Sequence, residues 1–206
     1  IYFTASVKAQ SPIFAVSVPD GQVQELVGAS FNQSLQLSPD GQIFVFTRQS
    51  LSQPAEVWRA SVSGGAASPL THANDAILHR LKLGQVEEFH FAGAGGAQVH
   101  GWLLKPPGFD PQKKYPAVFL IHGGPQSTWG NSFSYRWNAQ MFAAPGYLVA
   151  LVNPRGSPGW GQQFVDEISN DWGGKVYEDL MKGVDYVTSL PYVNAGQRGD
   201  VVHALH

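Results

Sequence analysis

The sequence contains no cysteine among its 206 residues, so disulfide bonds and cysteine-ligated metal sites are excluded. Charged residues are also scarce, at 14% of the chain, and the formal net charge is only −2. Without a basic run to contact phosphates, this composition argues against a nucleic-acid-binding protein. No apolar run approaches the roughly 18 residues that cross a bilayer, so we expect no contact with a membrane.

Glycine and aromatic residues are well represented, with 23 glycines and 12% aromatic side chains, which favours β-rich structure with tight turns. The chain opens on Ile1-Tyr2-Phe3-Thr4, a pattern typical of the middle of a strand. We therefore expect that the natural N-terminus has been cut or processed. The compartment stays open, since secreted, periplasmic and cytoplasmic locations all fit.

The first third of the chain repeats itself. Phe14 and Trp58 lie in similar strand-like segments 44 residues apart, and Leu26 and Leu70 on the following segments have the same spacing. A period of about 40–45 residues with short strands and glycine turns is typical of a four-stranded propeller blade. A small β-sandwich with chance similarity is the alternative. We predict that residues 1–84 form part of a β-propeller, namely about one and a half terminal blades and a connector.

From residue 85 onward the pattern changes to apolar strands alternating with amphipathic helices. Apolar strands of this kind predict a mostly parallel sheet covered by helices on both faces. The predicted elements are a hairpin over 86–91 and 99–104, strands over 116–121 and 147–152, and helices over 135–144 and 175–190.

The strand over 116–121 runs directly into His122-Gly123-Gly124-Pro125. A buried strand that ends in this motif is where an α/β-hydrolase builds half of its oxyanion hole. Glycine suits the role because the backbone must turn sharply and approach the substrate closely. The alternative interpretation is a plain turn after a strand.

Three further motifs follow in order: Asn153-Pro154-Arg155-Gly156-Ser157 with Gly159-Trp160-Gly161, then Asp171-Trp172-Gly173-Gly174-Lys175, then Glu178-Asp179-Leu180-Met181 with Gly183-Val184-Asp185. With these motifs, residues 86–194 resemble the serine peptidases of the prolyl oligopeptidase family, in its dipeptidyl peptidase and acylaminoacyl peptidase branch. The resemblance implies a β-propeller over an α/β-hydrolase domain, of which residues 85–206 supply the N-terminal half. It also implies an acyl-enzyme mechanism on oligopeptides, with no metal or organic cofactor.

The resemblance assigns roles to particular residues. The backbone N–H groups of Gly123 and Gly124 are the predicted oxyanion donors. Arg155 either binds a substrate carbonyl or carboxylate, or pairs with an acid such as Asp171 or Glu178 and holds its loop, and we favour the second. Trp160, and with it Trp172 and Trp129, lines a substrate pocket or packs structurally. His122 follows too early a strand to be the catalytic base, which comes late in the chain of an α/β-hydrolase.

No serine of the chain lies in a Gly-x-Ser-x-Gly turn, and the match to the family is lost at about Ala195. Truncation, a frameshift and an incomplete chain each explain this. We predict that the chain alone lacks the nucleophile, acid and base and is inactive. The alternatives are an inactive scaffold or interaction protein of the same fold and, less favoured, an esterase or lipase. Two histidines near the C-terminus, His203 and His206, have a weak metal-ligand spacing that fits a frayed tail better.

A structural expectation follows from the missing nucleophile strand. The strand over 116–121 would lose one of its neighbours and become an apolar sheet edge. We therefore expect self-association through that edge.

Overall fold

The computed structural model describes residues 1–28, 30–124 and 126–203, with only the backbone at residue 198 and residues 200–203. Contacts divide the chain into two compact units. The first contains residues 1–81 and 130–135, and the second contains residues 82–129 and 136–206. The described part holds no helix long and apolar enough to cross a membrane.

The first unit consists of two antiparallel sheets. Its strands, in chain order, are β1 (Tyr2–Thr4), β2 (Ile13–Val16), β3 (Val23–Val27), β4 (Phe31–Leu37), β5 (Ile43–Ser50), β6 (Gln53–Ser61) and β7 (Ser68–Pro69), followed by the short helix α1 (Asp75–Leu78). One sheet has the order β1-β2-β3 and the other β4-β5-β6-β7. The second is a four-stranded antiparallel meander, and Trp58 lies on its third strand.

One apolar cluster forms the core of this unit. Ile13 and Val27 come from the three-stranded sheet, whereas Phe44, Phe46 and Ala60 come from the four-stranded sheet. Residues 130–135 complete the unit through polar contacts. Asn131 accepts a hydrogen bond from the N–H of Leu51 at 3.0 Å and donates its own N–H to the carbonyl of Ala9 at 2.8 Å.

The second unit is a five-stranded mixed sheet with three helices. Its elements are β8 (Gln85–Ala92), β9 (Gln98–Lys105), β10 (Tyr115–His122), α2 (Ala139–Ala143), β11 (Leu148–Asn153), α3 (Gln162–Asp166), α4 (Lys175–Ser189) and β12 (Val193–His203). The strand order is β12-β10-β11-β9-β8. β10 runs parallel to β11 and β12, whereas β9 is antiparallel to β11.

The two central apolar strands supply much of the core of this unit, because all residues of β11 and the four middle residues of β10 are buried. Phe119 and Ala150 pair across the two strands, and both belong to the main core cluster. The apolar face of α4 adds Val184 and Val187 to that cluster, as the helical spacing predicts. α2 is shorter than the predicted helix over 135–144, because Asn138 caps it through a hydrogen bond from the N–H of Gln140 and residues 130–135 fold with the first unit.

One expectation about the sheet is wrong. β10 is not an edge, because β12 pairs with it in parallel from Ala117 to His122. Strand pairing uses backbone groups, so residues 195–203 extend the sheet without needing a particular side-chain pattern. Among the described strands of this sheet, the outer positions belong to β12 and β8.

Candidate active site

The predicted oxyanion glycines lie where β10 ends, at the carboxyl edge of the parallel strands. Gly124 has a φ of +119°, a conformation that L-residues rarely adopt, so glycine is required there. A Cβ atom at this position would also lie 3.1 Å from the Cβ of Ser127. No described residue accepts a hydrogen bond from the N–H of Gly124, so this donor is available for a ligand.

The histidine that precedes these glycines contacts the loop after β11. The Nε2 atom of His122 lies 3.2 Å from the Oγ atom of Ser157. Ser157 is fully buried, so its hydroxyl cannot attack a peptide in this conformation. The contact therefore joins the ends of two neighbouring strands, β10 and β11.

Arg155 lies in that same loop and is only 4% exposed. Its Nη1 atom is 3.3 Å from Oδ1 of Asp179. Its Nε atom forms an ion pair with Oε2 of Glu167 at 2.7 Å. The Nε–H bond does not point at that oxygen, so this contact is not a hydrogen bond. The Nη2 group donates to the carbonyl of Ala94. These contacts favour the loop-holding interpretation of Arg155, with Asp179 and Glu167 in the place of the suggested acids Asp171 and Glu178.

The surroundings of Glu167 favour its charged form. A hydrogen bond from Lys175, supported by the charge of Arg155, lowers the pKa of Glu167 below its ordinary value against the opposing effect of burial. Asp179 is fully buried and also accepts hydrogen bonds from the backbone N–H groups of Ala94, at 2.7 Å, and Arg155, at 3.0 Å. These hydrogen bonds join α4 to the turn between β8 and β9 and to the loop after β11.

The three candidate pocket tryptophans have different surroundings. Trp160 is half-buried, and its ring centroid lies 5.3 Å from that of His100. Trp129 donates its Nε1–H to the carbonyl of Leu120 at 2.9 Å. Trp172 is 69% exposed. A substrate-contacting role for Trp160 stays a prediction.

A polar network at the end of β11 was not predicted from the sequence. The Oδ1 atom of Asn153 accepts the N–H of Trp129 at 2.7 Å, and its Nδ2 atom lies 3.1 Å from the Trp129 carbonyl oxygen. The same Nδ2 group lies 3.0 Å from Nδ1 of His100. Burial, together with the nearby His90, lowers the pKa of His100 from 6.5 to about 4. The signal in the sequence was a single polar residue at one end of each of two apolar segments: Asn153 ends β11, and His100 lies near the start of β9.

One group of side chains has the composition of a metal site. Potential ligand atoms of Glu88, His90 and His100 lie within 4.8 Å of one another. However, the two contacts of Asn153 with the backbone of Trp129 fix its amide so that Nδ2 donates to Nδ1 of His100. The neutral ring then carries its proton on Nε2, a buried nitrogen for which no described residue is a hydrogen-bond partner. A protonated nitrogen cannot bind a metal, so this group does not fit a metal site. The side chains of His203 and His206 lie outside the described residues.

The comparisons with known proteins agree with this geometry. Residues 132–199 match the model of the prolyl oligopeptidase family. The predicted resemblance to this family is confirmed. The matched segment includes the loop of Arg155 and Ser157, helix α4 and the first part of β12.

Several curated relatives carry the name dipeptidyl-peptidase 5. The protein from Porphyromonas gingivalis is 32% identical over 201 residues, which cover 98% of this chain and 29% of the relative. The protein from Schizosaccharomyces pombe is 44% identical over 127 residues, which cover 59% of this chain and 19% of the relative. The chain thus spans less than a third of the length of these relatives.

Solved structures of acylaminoacyl peptidases have a similar fold. The chain resembles an acylaminoacyl peptidase in complex with Z-Gly-Gly-Phe-chloromethyl ketone, with a TM-score of 0.85 and 25% identity over 98% of this chain and 31% of that chain. The acylaminoacyl peptidase of Pyrococcus horikoshii gives a TM-score of 0.84 at 25% identity, with the same coverage.

Proposed function

We propose that this chain supplies the oxyanion side of a serine peptidase that releases dipeptides or acylated residues from short peptides. The observation that carries the proposal is the backbone N–H of Gly124, which follows a parallel strand with a buried middle and has no acceptor among the described residues. A backbone donor aimed at the developing negative charge of an acyl-transfer transition state contributes about 2.7–4 kcal/mol. Gly123 is the second candidate donor.

The proposed assignment of the two parts of the chain to domains follows the family. Residues 1–84 would form part of the β-propeller and residues 85–206 the N-terminal part of the α/β-hydrolase domain. In this mechanism a serine attacks the peptide carbonyl, the oxyanion forms against Gly123 and Gly124, and water later hydrolyses the acyl-enzyme. The names of the relatives support short peptides as substrates.

The attacking serine is not among the residues of this chain, since no Gly-x-Ser-x-Gly is present. We therefore propose that the chain alone is inactive. The second candidate function is an inactive scaffold or interaction protein of the same fold, which the absence of that motif favours.

A fluorophosphonate probe tests the proposal because it labels activated serines. We expect no labelling of the 206-residue chain. A longer product of the same gene should be labelled and should release dipeptides or acylated residues from short peptides. Labelling of the chain itself would contradict the claim of inactivity, whereas an unlabelled longer product would favour the scaffold.

A further inference from the structure

The loop that carries Gly123 and Gly124, which the structure describes over residues 122–124 and 126–129, is fixed at both of its ends. At its start, His122 belongs to β10 and contacts Ser157. Near its end, the hydroxyl of Thr128 donates to the carbonyl of Pro158 at 3.0 Å. The strongest attachment is at Trp129, where the backbone and the indole both bond to strands of the sheet.

Four hydrogen bonds converge on Trp129. Asn153 accepts from its N–H and donates to its carbonyl, Trp102 donates its Nε1–H to the same carbonyl at 2.8 Å, and the indole of Trp129 donates to Leu120. The donors and acceptors come from β9, β10 and β11. The end of the loop is therefore held against the middle of the sheet.

We infer that Asn153 is a positioning residue, which holds Trp129 and thereby sets the direction of the Gly123 and Gly124 N–H groups. Interpreting this as a contribution to catalysis rests on the proposed function. A loop with two fixed ends samples few conformations, whereas releasing one end restores much of its backbone entropy. An oxyanion donor has to be oriented before the reaction, because reorienting it during the reaction costs free energy.

Only an amide satisfies the three partners of Asn153. The Trp129 N–H needs an acceptor, while the Trp129 carbonyl and His100 Nδ1 both need a donor. An aspartate would place a second oxygen against the carbonyl, and a leucine would leave the buried N–H of Trp129 without an acceptor. His100 contributes by staying neutral, so its Nδ1 lone pair accepts the amide proton and fixes the orientation of Asn153.

The test measures ¹⁵N order parameters of the Gly123 and Gly124 amides in the full chain. In the wild type we expect values near about 0.85, as in rigid backbone, and in Asn153→Leu values below about 0.6. Asn138→Leu is the matched control: it removes an asparagine that bonds a backbone N–H in the same unit but does not contact the loop. The control should leave both glycines rigid.

Two further variants keep the inference testable if Asn153→Leu does not fold. Trp102→Phe removes one hydrogen bond to the Trp129 carbonyl and retains an aromatic ring, and Asn153→Asp retains the shape of the amide. Each should lower the two glycine order parameters by a smaller amount. Unchanged order parameters in a folded Asn153→Leu, or in both milder variants, would overturn the inference.

This measurement separates the inference from the proposed function. If the order parameters respond but a longer product is not labelled by the fluorophosphonate, the peptidase proposal fails and the positioning of the loop by Asn153 stands. If the longer product is labelled but Asn153→Leu leaves the loop rigid, the peptidase proposal stands and Asn153 does not position the donors.

Discussion

Gly124 holds the backbone conformation on which the proposed oxyanion donor depends. Because its φ is +119°, we expect Gly124→Ala to destabilise the chain by about 1–3 kcal/mol through backbone strain. Urea unfolding measures this change. Gly173→Ala is the matched control, since a Cβ atom at Gly173 meets nothing within 4 Å. Equal stabilities of the two variants would show that the Gly124 conformation is not strained for alanine.

His100 makes stability depend on pH in a defined window. Its pKa is about 4 in the folded chain and 6.5 ordinarily, so the unfolded chain binds more protons between these values. Stability should therefore fall as the pH decreases from 6.5 to about 4, by up to about 1.4 kcal/mol per pH unit from this group. His100→Phe should reduce that slope. Urea midpoints measured across the window check the prediction, and an identical slope in the variant would refute it.

On the scale of elements, a buried ion cluster joins α4 to the loop after β11 and to the turn between β8 and β9. Asp179 on α4 bonds the backbone of Ala94 and both the backbone and guanidinium of Arg155. Asp179→Asn leaves a buried guanidinium with less compensating charge, which should cost about 3 kcal/mol. Thermal or urea unfolding measures the loss.

The control for this prediction is Glu178→Gln on the same helix. Glu178 pairs with Lys182 at 2.8 Å, but both side chains are well exposed. An exposed pair contributes at most about 1 kcal/mol. A similar loss in the two variants would show that the buried cluster is no more stabilising than a surface pair.

The connector after β7 is held by another buried carboxylate, Glu56, on β6. It is 3% exposed and accepts hydrogen bonds from the hydroxyl of Thr71 and from the backbone and side-chain N–H groups of Asn74. Burial alone would raise the pKa of Glu56, but these hydrogen bonds outweigh it and lower the pKa to about 2.

Since the folded pKa lies below the ordinary value of 4.5, Glu56 stabilises the chain above pH 4.5 and this contribution is lost as the pH falls towards 2. Glu56→Gln should thus be less stable than the wild type at pH 7, and the difference should shrink below pH 4.5. Unfolding midpoints of both proteins from pH 7 to pH 2.5 measure it. A constant difference over that range would contradict the prediction.

The elements with a strong period were predictable from the sequence, whereas the contacts of the candidate site were not. The apolar strands and α4 lie within one or two residues of their predicted bounds, because their burial depends on the local pattern of apolar residues. The pairing of β12 with β10 was missed because backbone pairing leaves little mark on the sequence. The partners of Arg155 were missed because Glu167 and Asp179 reach it only through the fold, at separations that no motif specifies.

For the whole molecule, the prediction of self-association now concerns a different strand. Among the described strands of the second unit's sheet, β12 rather than β10 is an outer one, with backbone groups on one side that no described strand pairs. Such an edge favours association with a second chain. Size-exclusion chromatography with light scattering should show a mass that rises with concentration. A monomer at all concentrations, with a cooperative melt, would contradict this prediction.

Residues 130–135 are counted with the first unit although the residues on either side belong to the second. The chain consequently crosses from one unit to the other three times, after residues 81, 129 and 135. A single proteolytic cut after residue 81 would leave residues 130–135 of the first unit covalently attached to the second unit, and residues 1–81 expressed alone would lack the hydrogen bonds that Asn131 makes with them. The two units therefore cannot be dissected as independent fragments at any one peptide bond.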